Sequence, residues 1–129
     1  MILNLDFTSD VPIYSQIKEQ IIKSIARGDL KVNESLPSVR NMAEEIGVNL
    51  HTVNKSYNLL KDEGYISIDR RKGAVVNSLP LNKKDENTEK IKSMLELLTA
   101  ESYLLGISKE EFINYSNEFF DNYEVKDYE

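Results

Sequence analysis

Residues 36–76 decide the fold, and they read LPSVRNMAEEIGVNLHTVNKSYNLLKDEGYISIDRRKGAVV. Apolar residues recur at helical spacing on either side of Gly47, which predicts two short helices joined by a tight turn. Gly64 ends the second helix, and the apolar residues after it predict two strands with a charged tip at 69–73. Helix, turn, helix and ribbon together indicate a winged helix-turn-helix, a fold that places one helix in a DNA groove.

The ends of the helices can be assigned from side-chain chemistry. Ser38 and Asn49 are predicted N-caps of the two paired helices, because their side-chain oxygens can accept free N–H groups of a first turn. An earlier helix is predicted between Pro12 and Gly28, since proline suits a first turn and glycine a C-terminal cap. The predicted core positions of the three helices are Tyr14, Ile17, Ile21, Ile22, Ile25, Val39, Met42, Ala43, Ile46, Val53, Tyr57 and Leu60.

Two more helices are predicted in the remaining chain. Residues 79–87 combine a proline with a mixed-charge polar run, which is typical of a linker. A helix from about Thr88 ends at Gly106, and Ser108 with Glu111 forms a capping box that starts the last helix. The fold class is therefore mainly α with a small β-ribbon (α+β). Its parts are a winged helix at 1–78, a linker at 79–87 and a helical segment at 88–124.

The distribution of charge is more informative than the net charge of −6. Residues 1–80 carry ten Lys or Arg and ten Asp or Glu, whereas residues 81–129 carry six and twelve. The acidic excess therefore lies in the C-terminal part. Because DNA affinity depends on local cations, a neutral N-terminal domain with a basic tip is compatible with DNA binding.

Composition argues against several other classes of protein. No apolar run approaches the roughly 20 residues of a membrane helix, and the first ten residues lack the pattern of a signal peptide. The chain has no cysteine, which excludes disulfides and fits a cytoplasmic location. His51 is the only histidine, and the adjacent pairs Glu44–Glu45 and Glu110–Glu111 diverge on a helix. We therefore expect no metal, no cofactor, no membrane partner and no catalysis.

The helix-turn-helix carries several candidate DNA contacts. Arg40 can fork onto a phosphate or a guanine edge, with a salt bridge to Glu44 as the alternative. Asn54 can read adenine, Lys55 can supply charge to a phosphate, and Leu50 can touch a thymine methyl. The full set of candidates is Ser38, Arg40, Asn49, Leu50, His51, Thr52, Asn54, Lys55, Arg70, Arg71, Lys72 and Gly73.

The predicted tip holds three consecutive cations, Arg70, Arg71 and Lys72. Such a cluster suits the minor groove, where narrow A·T-rich DNA concentrates negative potential. An ordinary charged hairpin is the alternative. The pattern thus predicts the helix at 49–61 in the major groove and the wing at 69–73 in the minor groove.

Each C-terminal helix carries an apolar stripe, and two helices alone cannot bury both stripes. A second copy of the chain would cover them, so we expect a homodimer, with a hairpin folded back on its own winged helix as the alternative. The expected interface consists of Ile91, Met94, Leu95, Leu98, Leu105, Phe112, Phe119 and Phe120. The aromatic residues there also leave open a pocket for an unknown small-molecule effector; they are Tyr103, Phe112, Tyr115, Phe119, Phe120 and Tyr123.

About the first three-fifths of the chain resembles the DNA-binding domain of the GntR family of bacterial transcription regulators. The matching residues are Pro12, Tyr14, Gln16, Ile17, Gly28, Leu30, 36–40, Met42, Ala43, 46–49, Thr52, Val53, Tyr57, Leu60, Glu63, Gly64 and Gly73. The resemblance implies that Arg40, in the family's PSxR motif, contacts DNA. It also implies that the tip corresponds to the family's RGxG wing, with Arg71 in place of the earlier glycine, which leaves the tip geometry open.

The short segment after the wing resembles the YtrA-like branch of that family. This resemblance implies a dimeric regulator, commonly a repressor, whose partner is double-stranded DNA. Two alternatives stay open at this point. One is a regulator with an effector pocket in the C-terminal helices, and the other is a winged helix used for contact with another protein.

Overall fold

The computed structural model describes residues 2–82 and 84–123, and the chain divides into two units, Met1–Asn82 and Lys83–Glu129. The elements of the first unit are α1 (Ile13–Arg27), α2 (Val39–Ile46), α3 (Leu50–Asp62), β1 (Ile66–Asp69) and β2 (Gly73–Val76). The second unit holds α4 (Lys84–Leu104) and α5 (Lys109–Asp121). The predicted fold class, mainly α with a small β-ribbon, is confirmed.

Two side-chain caps start α2 and α3, and one glycine makes the turn between these helices. Ser38 Oγ accepts the Asn41 N–H at 3.0 Å, and Asn49 Oδ1 accepts the His51 N–H at 2.7 Å. Gly47 follows α2 with a φ of 69°, in the left-handed region that L side chains rarely adopt. A Cβ at this position would meet no atom within 4 Å, so the turn needs glycine for its conformation and not for space.

Three helices and the ribbon enclose the core of the first unit. α1 packs on α3, α2 packs on α3, and β1 closes the end of α3. Most of the predicted core positions are buried, whereas Tyr14, Ile22, Val39 and Ile46 are half-buried. The largest fully buried apolar side chains are Ile17, Ile21, Met42, Val53, Leu60, Ile66 and Val76.

The ribbon is anchored on both edges of its second strand. β1 and β2 pair antiparallel, with Ile66 opposite Val76 and Asp69 opposite Gly73. On the other edge of β2, the Asn33 N–H donates to the Val76 carbonyl at 2.8 Å. The base of the ribbon is therefore fixed by backbone pairing on both sides, while its tip projects beyond the paired segment.

Two glutamines of α1 hold the N-terminal segment against the helix. The Gln16 side chain is buried, and its Nε2 donates to the carbonyls of Asp6 and Val11, both at 2.9 Å. Its Oε1 accepts the Asp6 N–H at 2.8 Å. One turn later, Gln20 pairs with the backbone of Asn4 in the same two-way manner. These amides satisfy backbone groups that a neighbouring strand would otherwise bond.

The second unit departs from the sequence prediction at its start. α4 begins at Lys84, so residues 84–87, which we predicted as linker, are helical, and that part of the prediction is wrong. Asp85 and Glu86 lie in the first turn, where acidic side chains interact favourably with the helix dipole. The predicted end of the segment, residue 124, lies outside the described residues.

The second unit has no core of its own in the part that is described. None of the side chains described from 85 to 123 is buried, and α4 and α5 do not pack along each other. Leu98 is 53% exposed on α4, and Phe119 is 63% exposed on α5. In the described parts of the chain, no helix has the length and apolar character needed to cross a membrane.

Candidate nucleic-acid interface

α3 presents a polar face opposite its buried side. Val53, Tyr57 and Leu60 point into the core, Ser56 is also buried, and Leu59 is half-buried. The exposed face of the helix carries Leu50, His51, Asn54, Lys55, Asn58 and Lys61. Donor and acceptor groups are therefore available along the whole helix. Asn58 and Lys61 extend the predicted set of contacts by two turns.

The structure places the twelve candidate contacts on three elements. Eleven of them are exposed, and Thr52 is half-buried. Ser38 and Arg40 lie at the start of α2, the residues from 49 to 55 form the start of α3, and the remaining four form the tip of the ribbon. β1 packs against α3, so the strand that leads to the tip starts beside the polar helix.

The salt bridge considered for Arg40 is not formed. Both Arg40 and Glu44 are exposed on α2, and no ion pair joins them although both lie within the described residues. The guanidinium thus presents its donors to solvent from the first turn of α2. A phosphate or the acceptor edge of a guanine can receive two of them at once.

The two capping side chains keep a donor for a partner. Ser38 Oγ and Asn49 Oδ1 accept backbone N–H groups. Each side chain has further capacity, because a hydroxyl and an amide both donate as well as accept. The same residues can therefore start a helix and donate to a phosphate.

Tyr57 fixes the position of α3 relative to the start of α2. Its side chain is 4% exposed, and its hydroxyl donates to the Pro37 carbonyl at 2.6 Å. Burial, and to a lesser extent the charge of Glu45, raises the pKa of the Tyr57 phenol well above its usual value. The phenol therefore stays protonated as a donor and joins the core of α3 to the residue before the Ser38 cap.

Lys55 lies at the edge of the polar face that adjoins α1. Its Nζ is 3.8 Å from the centre of the Tyr14 ring, a cation–π contact. The next residue, Ser56, is buried and its hydroxyl donates to the Tyr14 carbonyl at 2.7 Å. Sequence periodicity placed Tyr14 in the core stripe and missed this role, because the contact joins residues 41 positions apart.

The tip of the ribbon is organised by Asp69. Its Oδ1 accepts the Arg71 N–H at 2.7 Å and the Lys72 N–H at 2.9 Å, and these bonds lower the pKa of the carboxyl. Asn33 is the only described non-glycine residue with a positive φ, so Arg71 occupies its position without left-handed strain. Gly73 does adopt a left-handed φ of 76°. The Asp69 side chain therefore orders the tip, and Arg71 can replace the family's glycine because no left-handed backbone is needed at that position.

The chain is similar to known bacterial transcription regulators. The model for bacterial regulatory proteins of the gntR family matches residues 13–76. The HTH-type transcriptional repressor YtrA of Bacillus subtilis (strain 168) is 33% identical over 112 residues, 84% of this chain and 84% of that protein. The probable rhizopine catabolism regulatory protein MocR of Rhizobium meliloti is 40% identical over 78 residues, which span 60% of this chain but 16% of MocR.

Solved structures resemble the chain over most of its length. YtrA from Sulfolobus acidocaldarius, a GntR-family transcription factor, is 40% identical, with a TM-score of 0.58 over 95% of this chain and 97% of that one. A transcriptional antiterminator from Listeria monocytogenes EGD-e is 27% identical, with a TM-score of 0.85 over 92% and 90%. The winged helix-turn-helix, the family match and the two YtrA proteins lead to one conclusion. The chain belongs to the GntR family of bacterial transcription regulators, with a DNA-binding domain of the type found in its short YtrA-like branch.

Proposed function

We propose that the protein is a cytoplasmic homodimeric repressor that binds a two-fold-related operator in duplex DNA. The exposed polar face of α3 carries this proposal. An α-helix fits the major groove of B-DNA, and the N-terminal part of a recognition helix reaches the base edges. α3 begins with His51 and Asn54 on that face. The helix therefore enters the major groove with these side chains toward the bases.

The contacts divide into base readout and phosphate binding. Asn54 has the donor and acceptor pair that reads adenine, and Leu50, 42% exposed, offers an apolar surface to a thymine methyl. Lys55, at the α1 edge of this face, and Arg40, exposed in the first turn of α2, bind phosphates, which fixes the register of the helix on the duplex. Sequence preference then comes from the centre of the face and affinity from its edges.

The wing tip binds the adjacent minor groove. Its three cations are exposed, and Asp69 orders the backbone that carries two of them. A basic tip of this kind gains most where the minor groove is narrow, because the negative potential is strongest there. The wing thus adds affinity and a preference for A·T-rich flanks.

A second copy of the chain covers the apolar faces of α4 and α5. Ile91, Leu95 and Leu98 lie on one face of α4 and are exposed. Leu97 and Leu104, which the predicted stripe omitted, are also exposed and widen the apolar arc. Large contiguous apolar surfaces on soluble proteins mark interaction sites, and a two-fold dimer matches a two-fold operator. Repression is inferred from the Bacillus relative, which is a transcriptional repressor by name.

Neither alternative function is favoured by an observation of its own. The aromatic residues considered for an effector pocket include Tyr103 and Phe119, which are 81% and 63% exposed rather than gathered around a cavity. A groove of about 270 Å³ lies elsewhere, between Ile2, Leu3 and α2. The exposed cations of the tip argue against a winged helix used only for protein contact.

Selection from random duplexes tests DNA binding, followed by titration of the enriched duplex with the full chain at several salt concentrations. Affinity should fall steeply with salt, because each neutralised phosphate contributes about −0.9 to the slope of log K against log salt. Changing Arg70, Arg71 and Lys72 to Gln should weaken binding and flatten the slope. The matched control changes Lys23, Arg27 and Lys31 to Gln, which alters net charge equally. No enrichment, or equal effects of the two triple variants, would contradict the proposed interface.

Two charge substitutions on α4 test the dimer. Leu98→Glu places a charge in the apolar face of α4 and should convert the protein to a monomer with much weaker binding to the two-fold duplex. Glu96→Lys, exposed on the side of the helix away from the leucines, is the control and should stay dimeric although it changes the net charge by more. Sedimentation of both variants measures the outcome. A chain ending at Asn82 that still sediments as a dimer would place the interface in the winged helix instead.

A further inference from the structure

One contact at the edge of α3 is not accounted for by the fold or by base readout. The Lys55 Nζ lies 3.8 Å from the centre of the Tyr14 ring, although Lys55 is exposed and could extend into solvent. Lys55 stands on the side of the polar face that adjoins α1, because the next residue, Ser56, is buried against α1. A helix lying in a groove has phosphates along both of its edges.

We propose that Tyr14 is a positioning residue for DNA binding, which holds the Lys55 ammonium at the α1 edge of α3 for contact with a phosphate. This inference rests on the proposed function. Tyr14 itself makes no contact with DNA and affects binding only through Lys55. One phosphate contact of α3 is thus oriented by a residue of α1.

The chemistry of the pair permits both contacts at once. An ammonium has three N–H donors and no acceptor, and an aromatic face engages it from one side. The remaining donors can bond a phosphate oxygen. A lysine that is free in solution loses the motion of a long flexible side chain when it binds, whereas Lys55 has part of that motion restricted in advance.

The position of the ring is itself fixed by α3. The Ser56 hydroxyl donates to the Tyr14 carbonyl at 2.7 Å, so the backbone that carries the ring is bonded to the residue after Lys55. One turn further along α1, Lys18 Nζ forms an ion pair with Glu63 Oε2 at 2.7 Å. Ring and ammonium are thus parts of one fastened α1–α3 contact, which explains how an exposed lysine can have a preferred position.

A double-mutant cycle on the enriched duplex tests the inference with the full chain. The variants are Tyr14→Leu, Tyr14→Phe, Lys55→Met and the pair Tyr14→Leu with Lys55→Met. Tyr14→Leu should weaken binding about two- to fivefold, the size of an exposed cation–π contact, and Tyr14→Phe should not. Lys55→Met should make the slope of log K against log salt less steep by about 0.9, because one phosphate contact is lost. In the Lys55→Met background, Tyr14→Leu should have no further effect, because its role acts through Lys55.

Proton NMR of the DNA-free protein gives a second readout. The methylene protons beside the Lys55 ammonium should show an upfield ring-current shift that Tyr14→Phe keeps and Tyr14→Leu loses. Additive losses in the cycle, stronger binding by Tyr14→Leu, or equal losses for Tyr14→Leu and Tyr14→Phe would overturn the positioning role. The first would indicate general structural damage, the second sequestration of Lys55 and the third a direct hydroxyl contact. If the unaltered chain binds no duplex, the proposed function fails instead, whatever the NMR shift.

Discussion

Replacing Tyr57 by Phe removes one hydroxyl from the centre of the helix-turn-helix. The side chain is 4% exposed, and its hydroxyl donates to the Pro37 carbonyl at 2.6 Å. The change leaves this carbonyl without its partner, which should lower the free energy of unfolding by about 1–3 kcal/mol. For a domain of this size, each kcal/mol corresponds to roughly 4–8 °C in melting temperature. The loss is therefore measurable by thermal or urea unfolding at neutral pH.

The same substitution should matter less at high pH. The folded protein holds the pKa of Tyr57 above its ordinary value of about 10, so this group contributes stability below pH 10 and loses it as the pH rises toward the folded pKa. At pH 11, ionisation in the unfolded chain favours unfolding by about 1.4 kcal/mol, and a phenylalanine escapes this effect. The difference between the two proteins should shrink by that amount between pH 8 and pH 11.

Urea unfolding followed by circular dichroism, at one protein concentration and at several pH values, measures both effects. Tyr14→Phe is the matched control, since its phenol makes no hydrogen bond within the described residues, and it should leave the unfolding free energy nearly unchanged at pH 8. A Tyr57→Phe difference that stays constant from pH 8 to pH 11 would refute the argument. So would a difference below about 0.3 kcal/mol at pH 8, because it would mean that the bond to Pro37 contributes little.

Three further substitutions have outcomes that follow from the geometry. Gln16→Leu should lower the free energy of unfolding by about 1–3 kcal/mol and abolish hydrogen-exchange protection at the Asp6 N–H. Glu19→Leu, at an exposed position of the same helix, should do neither. Gly73→Ala should lower the free energy of unfolding by roughly 1–2 kcal/mol, because residue 73 has a left-handed φ that alanine disfavours. Gly73→Asn should lower it by less, and equal losses would indicate a steric cause instead. Asp69→Ala should remove exchange protection at the Arg71 and Lys72 N–H groups, and acid should do the same in the unaltered chain once the pH falls below the lowered pKa of Asp69. Protection that survives either treatment would show that Asp69 does not order the tip.

Local signals in the sequence predicted the helix ends and most of the core. Ser38 and Asn49 cap their helices as expected, because a cap depends on the two or three residues that follow it. The start of α4 was placed four residues late, since a polar charged run is typical of both linkers and solvated first turns. Composition cannot separate the two when no helix-breaking residue stands between them.

Contacts between distant segments could not be obtained from periodicity. The Tyr14–Lys55 pair, the Tyr57–Pro37 hydrogen bond and the pairing of Asn33 with β2 join residues that lie 41, 20 and 43 positions apart. Helical spacing assigns a residue to a face but does not say which side chain lies opposite. For this reason the sequence identified the candidate contacts on α3 but not the residues that hold them in place.

The uncovered faces of α4 and α5 have a consequence for how the protein responds to its own abundance. The winged helix buries its core within one chain, so its folding equilibrium is independent of protein concentration. In the proposed dimer, the second unit buries its apolar side chains only when two chains meet, so its stability follows mass action. Dilution would then release monomers that keep an intact winged helix but cannot bind two half-sites together. Occupancy of a two-fold operator would rise with about the square of the monomer concentration at low abundance. The expression level of the protein would therefore help to set how much of the operator is occupied.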